Sequence, residues 1–164
     1  MVVTHHYDSP LGGITLAAEG NALTGLWFDG HRFFPELPPA GCTERLPVFD
    51  EADRWLDIYF SGRDPGFTPA LQAGGSAFRR KVWEILLAIP YGQTVTYGWI
   101  AERIAGSGTG HVSARAVGGA VGHNPISLII PCHRVVGAGG RLEGYAGGTE
   151  RKAELLRMEG IQLT

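Results

Sequence analysis

Leu128–Gly137 reads LIIPCHRVVG. Leu128, Ile129 and Ile130 form a short apolar run that reads as a buried strand, and Pro131 stops it because proline has no N–H to give to a sheet. Cys132 and His133 follow, and then the apolar pair Val135 and Val136. The thiol and the imidazole are thereby expected at the mouth of a packed element, which holds side chains more firmly than a loop does. The thiolate is the reactive form of cysteine, and a nearby base or cation favours it, so the pair has the ingredients of an activated nucleophile. Adjacency alone does not separate that from a small buried hydrophobe, because neighbours in sequence often point apart.

The surroundings are more specific. Upstream, Tyr97–Asn124 reads YGWIAERIAGSGTGHVSARAVGGAVGHN, and downstream GYAGG occupies 144–148. Together with PCHRV at 131–135, these stretches resemble the O6-alkylguanine-DNA alkyltransferase family, closely from Ser76 to Gly160 and loosely before that. The resemblance implies transfer of an alkyl group from O6 of guanine in double-stranded DNA to the protein's own cysteine. Matched by position, Cys132 is the acceptor and His133 its base, linked to it through a water. Glu159 steadies the imidazole, and Asn124 organises the same network. A cysteine of ordinary pKa, about 8.5, is mostly protonated at neutral pH, so such activation is what the chemistry needs. Tyr97 matches the tyrosine that hydrogen-bonds the departing guanine and crowds the phosphate of the target nucleotide.

The target atom is unreachable inside a stacked duplex, so the nucleotide must swing out. Arg115 matches the arginine that fills the vacated place, with Ala114, Gly118 and Gly119 of the same helix against DNA. Tyr145, Ala146 and Gly147 match the pocket wall. Some relatives carry a hydroxyl residue where Ala146 stands, which leaves backbone groups to hold the base there. The turn at 106–112 is a few residues longer than in many relatives. A thioether is stable, so one molecule should act once. Neither a metal nor an organic cofactor is expected. A monomer in solution is expected, able to lie in several copies along DNA.

One hundred and sixty-four residues suit one medium domain or two small ones, enough for a real hydrophobic core. The N-terminus lacks the basic-then-apolar order of a signal peptide, and no run approaches about 18 apolar residues, so a cytoplasmic protein away from membranes is expected. Cys42 and Cys132 are the two cysteines; with no CxxC pattern they suit a reducing compartment, and Cys42 in PPAGCT reads as an incidental loop residue. The net charge of −2 hides an asymmetry. Residues 1–75 carry four Arg and ten acidic residues, net −6; residues 76–164 carry ten Lys/Arg and six Glu, net +4. The second half can therefore face phosphates.

The fold class expected is α+β. Val2–Tyr7, Ile14–Glu19 and Ala22–Phe28 read as three antiparallel strands, separated by turn signals at Ser9–Gly12 and Gly20-Asn21. A loop with Pro35, Pro38 and Pro39 leads to a helix over Val48–Phe60, whose Val48, Ala52, Trp55, Leu56 and Tyr59 share one face. Asp50, Asp53 and Asp57 read as its wet side. Residues 63–75 read as a linker, which makes 1–75 an N-terminal subdomain. Residues 76–164 then form a mainly helical domain for DNA binding and alkyl transfer. Within it Ser76 caps a helix running to Ile89, with Arg79, Arg80 and Lys81 either solvated or against phosphate. Two short helices, over Tyr97–Ala105 and after Ser113, flank the turn Gly106–Gly110 as a helix-turn-helix. The second is thin, suited to tight packing or to a narrow groove. Val135–Tyr145 reads as a short hairpin, and Thr149 as the cap of a final helix ending near Glu159.

Two other readings compete. A cysteine hydrolase using Cys132 and His133 would need an oxyanion hole and would turn over. A pure DNA-binding module would be a regulator or a lesion binder, but lesion-binding relatives replace the cysteine, and ARAVGGAV has few side chains with which to read bases.

Overall fold

The computed structural model describes residues 2–30, 45–106, 111–142 and 144–163. The proline-rich loop, Cys42 and most of the 106–112 turn lie outside them. The chain forms two compact units, Met1–Gly74 with Pro125–Ser127, and Gly75–Asn124 with Leu128–Thr164.

In the first unit β1 (Val2–Ser9), β2 (Gly12–Glu19) and β3 (Ala22–Phe28) make the expected antiparallel meander in the order β1-β2-β3. Ser9 pairs with Gly12 across a two-residue turn, and a bulge at Ala17/Ala18 lets both alanines be buried. Helix α1 (Pro47–Phe60) lies against all three strands and buries Val48, Phe49, Ala52, Trp55, Leu56 and Tyr59. Proline suits its first turn, where the N–H has no helical partner. Its acidic residues are more than a wet side. Asp53 accepts from His5 Nε2 at 2.9 Å, and Asp57 accepts from the Tyr7 hydroxyl at 2.6 Å, which ties α1 to β1.

The stretch read as a linker is partly built into the sheet. Leu23 and Leu71 form a one-residue parallel bridge, with N–H···O distances of 2.8 Å on both sides of Leu23. Leu26 and Ile126 form a second, at 2.9 Å on both sides. The β3 edge, which would otherwise expose backbone groups, is therefore covered by two short chain segments.

In the second unit α2 (Ala77–Leu87) is capped by Ser76, whose Oγ accepts from Arg79 N–H. Helices α3 (Tyr97–Ile104) and α4 (Ala114–Gly122) pack together as the helix-turn-helix pair, capped by the Thr96 and Ser113 hydroxyls. The Trp83 indole donates to Ala120 O at 2.9 Å within the core. Helix α5 (Thr149–Met158) closes the unit. Thr149 is its first residue rather than its cap; Gly148 precedes it with φ +99°.

Two expectations are corrected here. Leu128–Ile130 is buried but turns instead of forming a strand, and Leu128 has φ +71°, a left-handed conformation that is strained for a branched side chain. The hairpin over Val135–Tyr145 is replaced by a parallel pair. Strand β5 (Val135–Val136) pairs with β4 (Val95–Thr96), and Gly137 N–H donates to Arg141 O. Gly139 and Gly140, at φ +73° and +84°, turn the chain, and among the described residues no return strand pairs with β5.

Ile126 is fully buried, and its neighbours make the two backbone bonds of the bridge, Leu26 N–H to Pro125 O and Ser127 N–H to Leu26 O. Ile126→Ala should cost about 2–5 kcal/mol, read as a lower urea midpoint. A loss under about 1 kcal/mol would mean that the bridge forms without the side chain.

Candidate active site

Pro131 sets the geometry of the cysteine. Its φ of −80° and ψ of 67° make an inverse γ-turn, closed by Cys132 N–H to Ile130 O at 2.8 Å. The same carbonyl accepts from Asn124 Nδ2 at 2.7 Å. Asn124 thus fixes the chain two residues before Cys132. Cys132, His133 and Arg134 then form one turn of 3₁₀ helix leading directly into β5. Because β5 pairs with β4, Thr96 lies beside Val136, and Tyr97 begins α3 immediately after it. Two strands of two residues each therefore hold the cysteine turn and the tyrosine in one frame.

Glu159 is the hub of the buried polar groups. Its Oε2 accepts from His133 Nε2 at 2.5 Å and from Arg134 Nη2 at 3.3 Å. Its Oε1 accepts from Arg134 Nε at 2.8 Å and from Gly92 N–H at 2.9 Å. Arg134 Nη1 donates to Ile89 O at 2.8 Å. Burial by itself would raise the carboxyl pKa, but the His133 and Arg134 contacts outweigh it and hold it down at about 2. Glu159 is thus ionised and can only accept. His133 is fully buried, and burial, helped by the charges of Arg134 and Lys152, pushes its pKa down against the pull of Glu159. A neutral imidazole that donates from Nε2 carries its lone pair on Nδ1. That atom can take a proton.

Tyr97 is half-buried, with small residues and a cation beside its ring. A Cβ placed on Gly118 would lie 3.9 Å from its ring, and one on Gly144 would lie 3.2 Å from its hydroxyl. Lys152 Nζ is 5.9 Å from the ring centroid. Tyr145 is buried, and a Cβ on Gly147 would come within 2.7 Å of its ring, so glycine is required there. Ala146 is half-buried in that turn. On α4, Ala114, Arg115 and Gly119 are exposed, and among the described residues nothing lies within 4 Å of a Cβ placed on Gly119.

The family model of the 6-O-methylguanine DNA methyltransferase DNA binding domain matches residues 77–161, and that of the ribonuclease-like domain matches residues 2–72. The chain is 45% identical to a methylated-DNA–protein-cysteine methyltransferase of Mycolicibacterium paratuberculosis, over 97% of this chain and 93% of the relative. A relative of the same name in Methanosarcina acetivorans is 42% identical over 94% and 96% of the two chains. The crystal structure of Mycobacterium tuberculosis OGT in complex with DNA superposes with a TM-score of 0.84 at 43% identity, covering 97% of this chain and 92% of that one. The chain belongs to the 6-O-methylguanine DNA methyltransferase family.

Of the residues that the family resemblance pointed to, His133 and Glu159 meet directly, next to Cys132 in the chain. Asn124 reaches the same segment through Ile130 O, and Tyr97 adjoins Gly118 and the 144–148 turn. Arg115 stands apart on the exposed side of α4. Sequence reading missed Arg134, Gly92 and Lys152. Gly92 lies in the turn after α2, where its φ of +81° suits glycine and its N–H donates to Glu159. The α5 stripe 152, 155, 156 and 159 did carry a signal, because it puts a lysine and a glutamate on a buried helical face.

The pH dependence of this methyltransferase follows from two pKa shifts of one sign. Both His133 and Glu159 bind protons less readily in the folded chain than in the unfolded one, so acid favours unfolding. The contribution is complete above 6.5, the ordinary histidine value. It is lost first through His133, then through Glu159 as pH falls from 4.5 toward about 2. Glu159→Gln should lower the urea midpoint at about pH 7 and flatten its fall toward about pH 3. An equally steep fall in the variant would place the acid sensitivity elsewhere.

Proposed function

We propose that this protein repairs double-stranded DNA by moving the alkyl group of O6-alkylguanine to Sγ of Cys132. The reading is carried by one observation: Cys132 directly precedes an imidazole whose Nε2 is held by a buried, ionised carboxylate. His133 takes the thiol proton through a water, and the sulfur attacks the alkyl carbon in line. The carbon–sulfur bond forms as the carbon–oxygen bond breaks, and the bonding pair stays on the base. Tyr97 donates a hydrogen bond to the departing guanine, and a proton makes up its neutral form. A thioether is a stable carbon–sulfur bond, so each molecule acts once.

The reading also orders the DNA-facing parts. Ala114, Gly118 and Gly119 let the α4 backbone approach a groove closely, and Arg115 occupies the stack after the nucleotide has swung out. Tyr145, Ala146 and Gly147 wall the pocket for the base. The net +4 of residues 76–164 supplies attraction to phosphate that falls with salt. The protein acts as a monomer in the cytoplasm, with copies able to lie side by side on DNA. Among the described residues, no helix is long and apolar enough to cross a membrane.

Incubation with duplex DNA carrying labelled O6-methylguanine should add one methyl group per protein, located by mass spectrometry on the Cys132 peptide. Several turnovers per molecule, or label on Cys42, would sink the reading. Cys132→Ala should abolish transfer and leave DNA binding largely intact, because phosphate contacts supply most of the affinity.

Arg115→Ala separates extrusion from chemistry. Extrusion costs a few kcal/mol, so loss of the stack-filling side chain should slow repair in duplex DNA by about tenfold or more. Free O6-alkylguanine base needs no extrusion and should react at nearly the parent rate. His133→Ala and Glu159→Ala should slow both substrates. Single-turnover rates decide the matter, and equal slowing of both by Arg115→Ala would remove the extrusion role.

A further inference from the structure

The guanidinium of Arg134 uses all three of its nitrogens in its own plane. Nε and Nη2 donate to Glu159, and Nη1 donates to Ile89 O. Its flat faces remain, and Tyr91 lies against one of them, with Cζ 5.7 Å from the ring centroid. That is within the range at which a cation is attracted to an aromatic face. The Glu159 side chain is fully enclosed, whereas that of Arg134 keeps 9% exposure. The remaining exposure of the pair is therefore on the guanidinium, the group that the half-buried tyrosine lies against. Tyr91 is also fastened to the helix that carries the carboxylate. Its hydroxyl donates to Met158 O at 3.3 Å, and Gly92 N–H, next in the chain, donates to Glu159 Oε1. The turn that holds both closes with Gln93 N–H to Pro90 O at 3.1 Å. A Cβ on Gly92 would lie 3.3 Å from Glu159 O, so the turn is seated against the end of α5.

We propose that Tyr91 is a positioning residue for alkyl transfer, its ring covering Arg134 and its hydroxyl tying the end of α5, so that Glu159 stays divided between Arg134 and His133. The proposal rests on the activation of Cys132 by His133 given above. Tyr91 acts through Glu159 and takes no part in making or breaking bonds. The charged groups that act on the imidazole are Glu159, Arg134 and Lys152, with Cys132 before it in the chain. Of these three charges, Glu159 alone favours the protonated ring. An arginine side chain released from its cover turns toward water, where its charge is better solvated. Glu159, which Arg134 holds through both oxygens, then follows the guanidinium and draws away from His133 Nε2. The imidazole takes the thiol proton less readily, so the reactive thiolate needs a higher pH. Once the pH is high enough to ionise the thiol without help, the ring no longer matters.

Alkylation of Cys132 by iodoacetamide, measured against pH, separates these effects. The sulfur displaces iodide, the thiol proton leaves by way of His133, and mass spectrometry follows the Cys132 peptide. Tyr91→Leu should move the midpoint of the pH–rate profile up by about one unit, a slowing of about tenfold near neutral pH. The rate at high pH should stay within about twofold of the parent. Tyr91→Phe, which keeps the ring, should restore most of the loss. Added to Glu159→Gln, Tyr91→Leu should slow the reaction no further than Glu159→Gln alone. A lower rate at high pH with the midpoint unmoved would overturn the proposal, because Tyr91 would then serve the fold. An unmoved profile would overturn it too, as would Tyr91→Phe as slow as Tyr91→Leu, because the ring would not be the agent. Multiplying losses with Glu159→Gln would overturn it, because Tyr91 would be acting by another route. If His133→Ala keeps the parent profile, the activation of Cys132 by His133 is wrong, and the proposal falls with its premise. If His133→Ala moves the midpoint and Tyr91→Leu does not, only the proposal falls.

Discussion

The carboxylate of Glu159 is the group on which the site depends most. An ionised carboxylate in a protein interior is costly unless its lone pairs are satisfied. Here it accepts from four donors on three residues: His133, Arg134 twice and Gly92. Those residues come from the 90–92 turn and the 132–134 turn, and the carboxylate itself stands at the C-terminal end of α5. One buried charge thus draws three chain segments to a point. Its loss would leave Arg134 without its counter-charge, and removal of one partner from a buried pair costs about 3–5 kcal/mol. The orientation of the imidazole and the closure of the helical unit are consequences of the same contacts.

Position is set by short elements with little freedom. Pro131 holds its own φ, the γ-turn closes on Ile130 O, and Asn124 fixes that carbonyl from the side. Strand β5 begins within three residues of Cys132, and its pairing with β4 places Thr96 so that its hydroxyl caps α3 at Trp99 N–H, 3.0 Å away. Tyr97 is then the first helical residue, with its ring against α4. Groups needed within a few tenths of an ångström of a working geometry are best held by backbone hydrogen bonds of this kind, because a cap or a ladder pair has fewer alternatives than a long side chain.

Much of this was legible in the sequence, and the parts that were not have a common cause. Periodicity gave the three strands of the meander and the buried face of α1, since each reflects a pattern within a dozen residues. The Ser76 cap, the helix start after Ser113 and the PCHRV and ARAVGG motifs are equally local. What escaped was pairing over distance. Leu71 and Ile126 each bridge β3 through a single residue, too short to have a period. Val135–Val136 has the β-branched composition of a strand, but nothing nearby tells whether its partner is the returning chain or Val95–Thr96, forty residues earlier. Leu128–Ile130 is apolar because it is buried, and burial alone does not distinguish a strand from a turn. Arg134 and Lys152 were passed over because a charged residue is usually on the surface; Arg134 is buried against Glu159, which lies far away in the chain.

The places where local rules fail gather around the chemistry. Leu128 holds a left-handed backbone four residues before Cys132. Lys152 and Glu159 occupy a helical face that apolar residues would fill at less cost. The most telling case is Gly119. Gly118 has a reason inside the protein, because the Tyr97 ring lies within 4 Å of where its side chain would begin. Gly119 has none among the described residues, where a Cβ would meet open space on an exposed face. A glycine at that position costs about 1 kcal/mol of helix stability relative to alanine. An alanine would fit among the described residues and strengthen the helix, so no described contact accounts for the bare position. A partner whose surface must come closer to the α4 backbone than a methyl group allows would account for it. In the proposed function the sugar–phosphate walls of a narrow groove are that surface, and Arg115, one turn earlier on the same helix, is the side chain proposed to enter it.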